Sequence, residues 1–88
     1  MKGGSETLNN KIDIRQVFSQ NLKYYRIKAN LTQAKLAEMV NLTDKYISDL
    51  ERNLYDPSLG VLDSLANALN IETYLLLKYD IEHTKTPN

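Results

Sequence analysis

Apolar residues recur along this chain at helical spacing, and no stretch alternates apolar and polar as a half-buried strand does. Ile14, Phe18, Leu22, Tyr25 and Ala29 fall on one stripe with Val17 beside it, and Asp13 followed by Gln16 has the form of a capping box opening this first helix. Leu36, Ala37 and Val40 make one face of a second helix, and Ile47, Leu50 and Leu54 repeat the pattern in a third. Ser58, after the turn Tyr55-Asp56-Pro57, caps a fourth helix whose stripe is Leu59, Leu62, Leu65, Ala66 and Leu69. A short fifth helix is predicted from about Glu72 to Lys78. The pattern predicts a compact all-α, five-helix domain over residues 12–79. A polar arm with two glycines precedes it at 1–11, and a polar, frayed tail follows at 80–88.

The junction between the second and third helices carries the most information. Thr32 is an N-cap with Leu31 before it and Leu36 four residues in, and Thr43 repeats the arrangement with Leu42 and Ile47. Two hydrophobic staples in register across one turn fix how both helices enter it. Asp44 sets a carboxylate in the first turn of the third helix, where the dipole favours it. Ala37 is small where the helices must cross closely, and Asn41 can take the left-handed conformation a sharp stop requires. Together these predict a helix-turn-helix, a shape that suits the major groove of DNA. Asn30, Asn53 and Asn70 also follow apolar helical segments, and the three glycines, Gly3, Gly4 and Gly60, all lie elsewhere. All four asparagines are read as helix stops, the alternative being ordinary solvated loop residues.

Composition narrows the function classes. Eighty-eight residues, 42% hydrophobic and 25% charged, suit one small globular domain. The absence of cysteine removes disulfides and thiolate metal sites, no apolar run is long enough to span a membrane, and the N-terminus lacks a signal peptide's apolar core. A cytoplasmic location is expected. Eleven basic residues balance eleven acidic ones, whereas nucleic-acid binders usually carry a basic footprint. The balance is uneven, with seven Lys/Arg against five Asp/Glu from Ile12 to Arg52, but two against five from Asn53 to Asn88. A binding face therefore belongs to the first half. Enzyme readings find little: His83 is the only histidine and falls in the expected tail, and no glycine-rich phosphate loop occurs. Asp44 and Asp49 point about 140° apart on a helix and make no paired-acid site. Neither metal nor cofactor is expected.

The stretch from Asn21 to about Leu77, carried by NLTQAKLAEMVNLTDKYISDLERN and DPSLGVLDSLANALNI, resembles the phage-repressor and Cro type of helix-turn-helix domain, the XRE-like regulators. Gln33, Ala37, Asn41, Ile47, Leu50 and Glu51 stand in that family's register. The resemblance implies five packed helices, with the third entering the major groove of operator DNA. It makes Thr43, Asp44, Lys45, Ser48 and Asp49 the base-facing candidates, and Arg26 with Glu51 an ion pair between the first and third helices. Thr32 and Gln33, at the start of the second helix, and Arg52 are candidates for phosphate contact. The sequence departs from the family where Leu54-Tyr55-Asp56 replaces a loop that is often basic.

Several residues have plainer readings. Lys45 could serve only as the i, i+4 partner of Asp49, and Arg52 could be merely solvated. Tyr46 and Tyr55 are expected to be partly buried with wet hydroxyls, while Tyr24 and Ile27, off the first helix's stripe, could cover the arm or a partner. Leu75, Leu76 and Leu77 cannot all face one core. With Tyr74, Tyr79 and Ile81 they suggest an apolar patch that pairs two subunits, unless the fifth helix folds back and buries all three leucines with help from the arm. The expected function is sequence-specific duplex DNA binding as a small transcriptional regulator, repressor-like and dimeric. Its control would lie in concentration, dimerisation or a protein partner. The alternative is a protein-interaction module on the same fold, such as an antitoxin-like partner, with weak or no DNA binding.

Overall fold

The computed structural model describes residues 12–85, and every regular element in that span is helical. Four α-helices, α1 (Ile14–Lys28), α2 (Gln33–Val40), α3 (Asp44–Glu51) and α4 (Leu59–Leu69), are followed by two 3₁₀ turns at Thr73–Leu77 and Ile81–Lys85. Each α-helix begins at a side-chain oxygen that accepts from a backbone N–H of the first turn. Asp13 accepts from Arg15, Thr32 from Lys35, Thr43 from Tyr46 and Ser58 from Val61.

The helices also end alike. Asn30, Asn41, Asn53 and Asn70 have φ of 60°, 61°, 62° and 59°, so all four are left-handed stops. The residue after each donates back across the last turn: Leu31 to the Arg26 carbonyl, Leu42 to Ala37, Leu54 to Asp49 and Ile71 to Ala66. This is the Schellman motif with asparagine in glycine's usual place. In three of the four the following residue, Leu31, Leu42 or Ile71, then packs against the core.

That core gathers Phe18 and Leu22 of α1, Leu36 and Ala37 of α2, Ile47 and Leu50 of α3, and Leu62, Leu65, Ala66 and Leu69 of α4, closed by Leu76. α2 packs on α3 and α4, while α1 backs α3 and the first 3₁₀ turn. The ends of the predicted stripes fall outside it. Leu59 is 83% exposed, and Ile14 and Leu54 are also exposed. Ile14 and Leu59 occupy the first helical position, beyond the reach of the packed layer, and Leu54 lies past the stop at Asn53.

Two expectations for the C-terminal region need correction. The fifth helix is a single 3₁₀ segment with no side-chain cap at Glu72, ended by extended backbone at Lys78. The Asn21 side-chain amide of α1 donates to the carbonyls of Leu75, Leu76 and Lys78, which holds the chain in this short turn. The described part of the expected frayed tail is not frayed either. Ile81–Lys85 forms the second 3₁₀ turn, and His83 is buried against α1. The expected arm, residues 1–11, lies outside the described residues.

Candidate nucleic-acid interface

The Asn41 stop leaves only Leu42 and the Thr43 cap between α2 and α3, so the two helices meet at a sharp turn. Their orientation is tied to α1 by one carboxylate. Arg26 Nε donates to Glu51 Oε2 at 2.6 Å and Nη2 to Oε1 at 3.1 Å, the two-pronged geometry that a guanidinium offers a carboxylate. Arg26 Nη1 donates to the Leu31 carbonyl at 2.8 Å, and Gln33 Nε2 to Glu51 Oε1 at 3.0 Å. The Glu51 side chain is only 3% exposed. A charge that deep is tolerable because Arg26 and Gln33 both donate to it.

The outer side of α3 differs. Thr43, Asp44 and Lys45 are exposed and Ser48 is half-buried. Asp49, a base-facing candidate by the resemblance, is buried, and two cations hold its carboxylate. Lys45 Nζ donates to Oδ2 at 3.0 Å and Arg52 Nη2 to Oδ1 at 2.6 Å. The Lys45 hydrogen bond, with that of Arg52 adding to it, holds the Asp49 carboxyl below its ordinary range against the opposing effect of burial. Lys45 and Arg52 themselves remain largely open to solvent. Of the phosphate candidates, Thr32 is exposed with its hydroxyl capping α2, and Gln33 is half-buried with its amide turned inward to Glu51. Tyr46 of α3 and Tyr55 of the following loop stack, their rings 6.1 Å apart.

A second polar site escaped the sequence reading. Besides holding three carbonyls, Asn21 meets His83 Nδ1 through its Oδ1, and the other ring nitrogen of His83 lies 3.5 Å from Asp80. The His83 ring stacks on Tyr24 at 3.7 Å and meets Tyr25 edge-on. Burial, then the neighbouring Tyr24, Asp80 and Tyr74, pushes the Tyr25 hydroxyl above its ordinary pKa. A signal for Asn21 was present: it falls three residues after Phe18 and four before Tyr25, a polar side chain set within the apolar stripe. Nothing comparable marks His83. Among the described residues, no group of His, Asp and Glu could hold a metal ion, and no helix is long and apolar enough to cross a membrane.

A helix-turn-helix family model matches residues 22–76. The immunity repressor protein of Bacillus phage phi105 is 45% identical over 53 residues, which is 60% of this chain but 37% of that protein. Control protein C.SmaI of Serratia marcescens is 38% identical over 66 residues, covering 75% of this chain and 79% of that one. Among solved structures, the hypothetical transcription factor NHTF from Neisseria superposes with a TM-score of 0.75 at 30% identity, covering 83% of this chain and 84% of that one. The chain thus spans most of the control protein and little more than a third of the phage repressor.

Proposed function

Because this chain belongs to the helix-turn-helix family, we infer that it is a DNA-binding transcriptional regulator whose α3 enters the major groove of a specific duplex site. The observation that supports this best is the division of α3 into two faces. Ile47, Leu50 and Glu51 are fixed inward by the core and by Arg26, which leaves Thr43, Asp44 and Lys45 presented outward. Thr43, Asp44, Lys45 and Ser48 would meet base edges, and Thr32, Gln33 and Arg52 would lie where the phosphate backbone passes. Few cations are available, so about three phosphates would be neutralised per subunit, giving a log–log salt slope of roughly −3.

The reading extends to a dimer in the compartment that holds the DNA, controlled by concentration or by a protein partner. Leu76 is fully buried within the subunit, so it is not the contact the sequence suggested, and Leu75 is half-buried. A partner subunit would meet Leu77 and Tyr79 with their exposed neighbours Tyr74 and Ile81. Sedimentation of the free protein at high concentration checks this, and a monomer there would count against it. DNA binding itself is tested by selecting fragments of the source genome on immobilised protein at low salt. Enrichment of one short motif is expected, and no retention of any fragment at any salt would sink the reading.

A further inference from the structure

The two cations best placed to meet DNA, Lys45 of α3 and Arg52 at its C-cap, are not independent. Lys45 is 79% exposed and Arg52 62%, yet both heads converge on the carboxylate of Asp49, which is 5% exposed. Each carboxylate oxygen holds one of them, Oδ1 with Arg52 and Oδ2 with Lys45. Spacings of three and four residues put the three side chains along one strip of α3. In that position each carboxylate oxygen already accepts from a cation, and at 5% exposure little of Asp49 is open to a base.

We propose that Asp49 is a positioning residue, an internal counter-ion that clamps Lys45 and Arg52 and so lowers affinity for arbitrary duplex while raising discrimination for the correct site. This rests on the DNA-binding reading above. The clamp halves the strip's charge, which weakens the counterion-release attraction that any duplex supplies. It also holds two long, flexible side chains in one arrangement before DNA arrives, so a site whose phosphates and bases match that arrangement loses less side-chain freedom on binding. A mismatched duplex must pull Lys45 or Arg52 off Asp49 to reach them.

The test compares the selected site with a scrambled duplex of equal composition across a salt series. It uses the wild type, Asp49→Asn, the Lys45→Gln/Arg52→Gln double variant, and all three substitutions together. Asp49→Asn is expected to bind the scrambled duplex about tenfold more tightly, with a salt slope steeper by about one unit per subunit. The ratio of selected-site to scrambled affinity should fall about tenfold. In the double-variant background the same substitution should change none of these. Equal tightening on both duplexes would make Asp49 a plain repulsive charge, and loss of preference at one base pair with an unchanged slope would make it a direct reader. An effect that persists without Lys45 and Arg52 would show that it acts through neither. Each of these outcomes overturns the clamp while wild-type binding stands; failure of the wild type to bind any duplex overturns the functional reading and the clamp with it. Relaxation of the Arg52 Nε–H in the free wild-type protein needs no variant to fold. It should report a more rigid side chain than Arg15, and equal mobility would also overturn the proposal.

Discussion

Two polar side chains of α1, Arg26 and Asn21, hold different parts of the molecule by different physics. Arg26 fixes the helix-turn-helix through a charged fork to Glu51, with Gln33 and the Leu31 carbonyl completing the cluster. Asn21 fixes the C-terminal turns through an uncharged amide, donating to three backbone carbonyls and meeting His83. The charged junction joins regular helices whose backbones are already satisfied, so its work is orientation. The amide junction caps the end of a short 3₁₀ turn, donating to the Leu76 and Lys78 carbonyls and adding a second donor to that of Leu75, so its work is to hold that turn in place. A broken fork strands a buried charge, while a broken amide strands only dipoles. The two should therefore fail with different severity and in different places.

The largest effect is expected at the fork. Arg26→Ala leaves Glu51 charged and buried, at a cost of about 3–5 kcal/mol, whereas Arg15→Ala, at an exposed pair, should stay within about 0.5 kcal/mol. Urea unfolding of the two variants checks this, and similar midpoints would show the fork to be dispensable. Asn21→Leu should cost less, about 1–3 kcal/mol, because it strands neutral carbonyls. Its signature is local: amide exchange should accelerate from Thr73 to Lys85 and stay slow in α2 and α3. Uniform acceleration would mean the two junctions are not separable.

Below these come effects that touch neither junction. Asn53→Ala places a β-carbon at a left-handed position and should cost about 1 kcal/mol, while Asn53→Gly should cost nothing or stabilise slightly; thermal melts of the pair distinguish conformational strain from lost contacts. The smallest effect concerns acid. The Lys45 and Arg52 hydrogen bonds keep the folded pKa of Asp49 below its unfolded value. Its contribution is therefore complete above the ordinary carboxylate range and is lost as pH falls through the folded value. Asp49→Asn should remove that portion of the acid limb of the stability–pH curve and leave the neutral limb's shape unchanged.

What the sequence determined by itself was everything set within a few residues. The caps at Asp13, Thr32, Thr43 and Ser58 and the four asparagine stops depend on backbone groups two to five positions away. The core stripes of α1 to α4 obey the same short-range geometry, failing only at their ends in Ile14, Ala29, Leu54 and Leu59. Because Asn41 and its flanking staples lie in one such window, the helix-turn-helix was legible too. The tertiary structure decided what has no local signature. Asn21 finds its partners 54 to 62 positions away, which turned an expected fifth helix into a 3₁₀ turn and an expected frayed tail into a packed one. The Lys45–Asp49 spacing was visible, but not that Arg52 would close over the same carboxylate and bury it. Periodicity says which side of a helix a residue occupies. How deep a charge sinks depends on how its neighbours' long side chains fold over it, and that is settled only when the whole chain has packed.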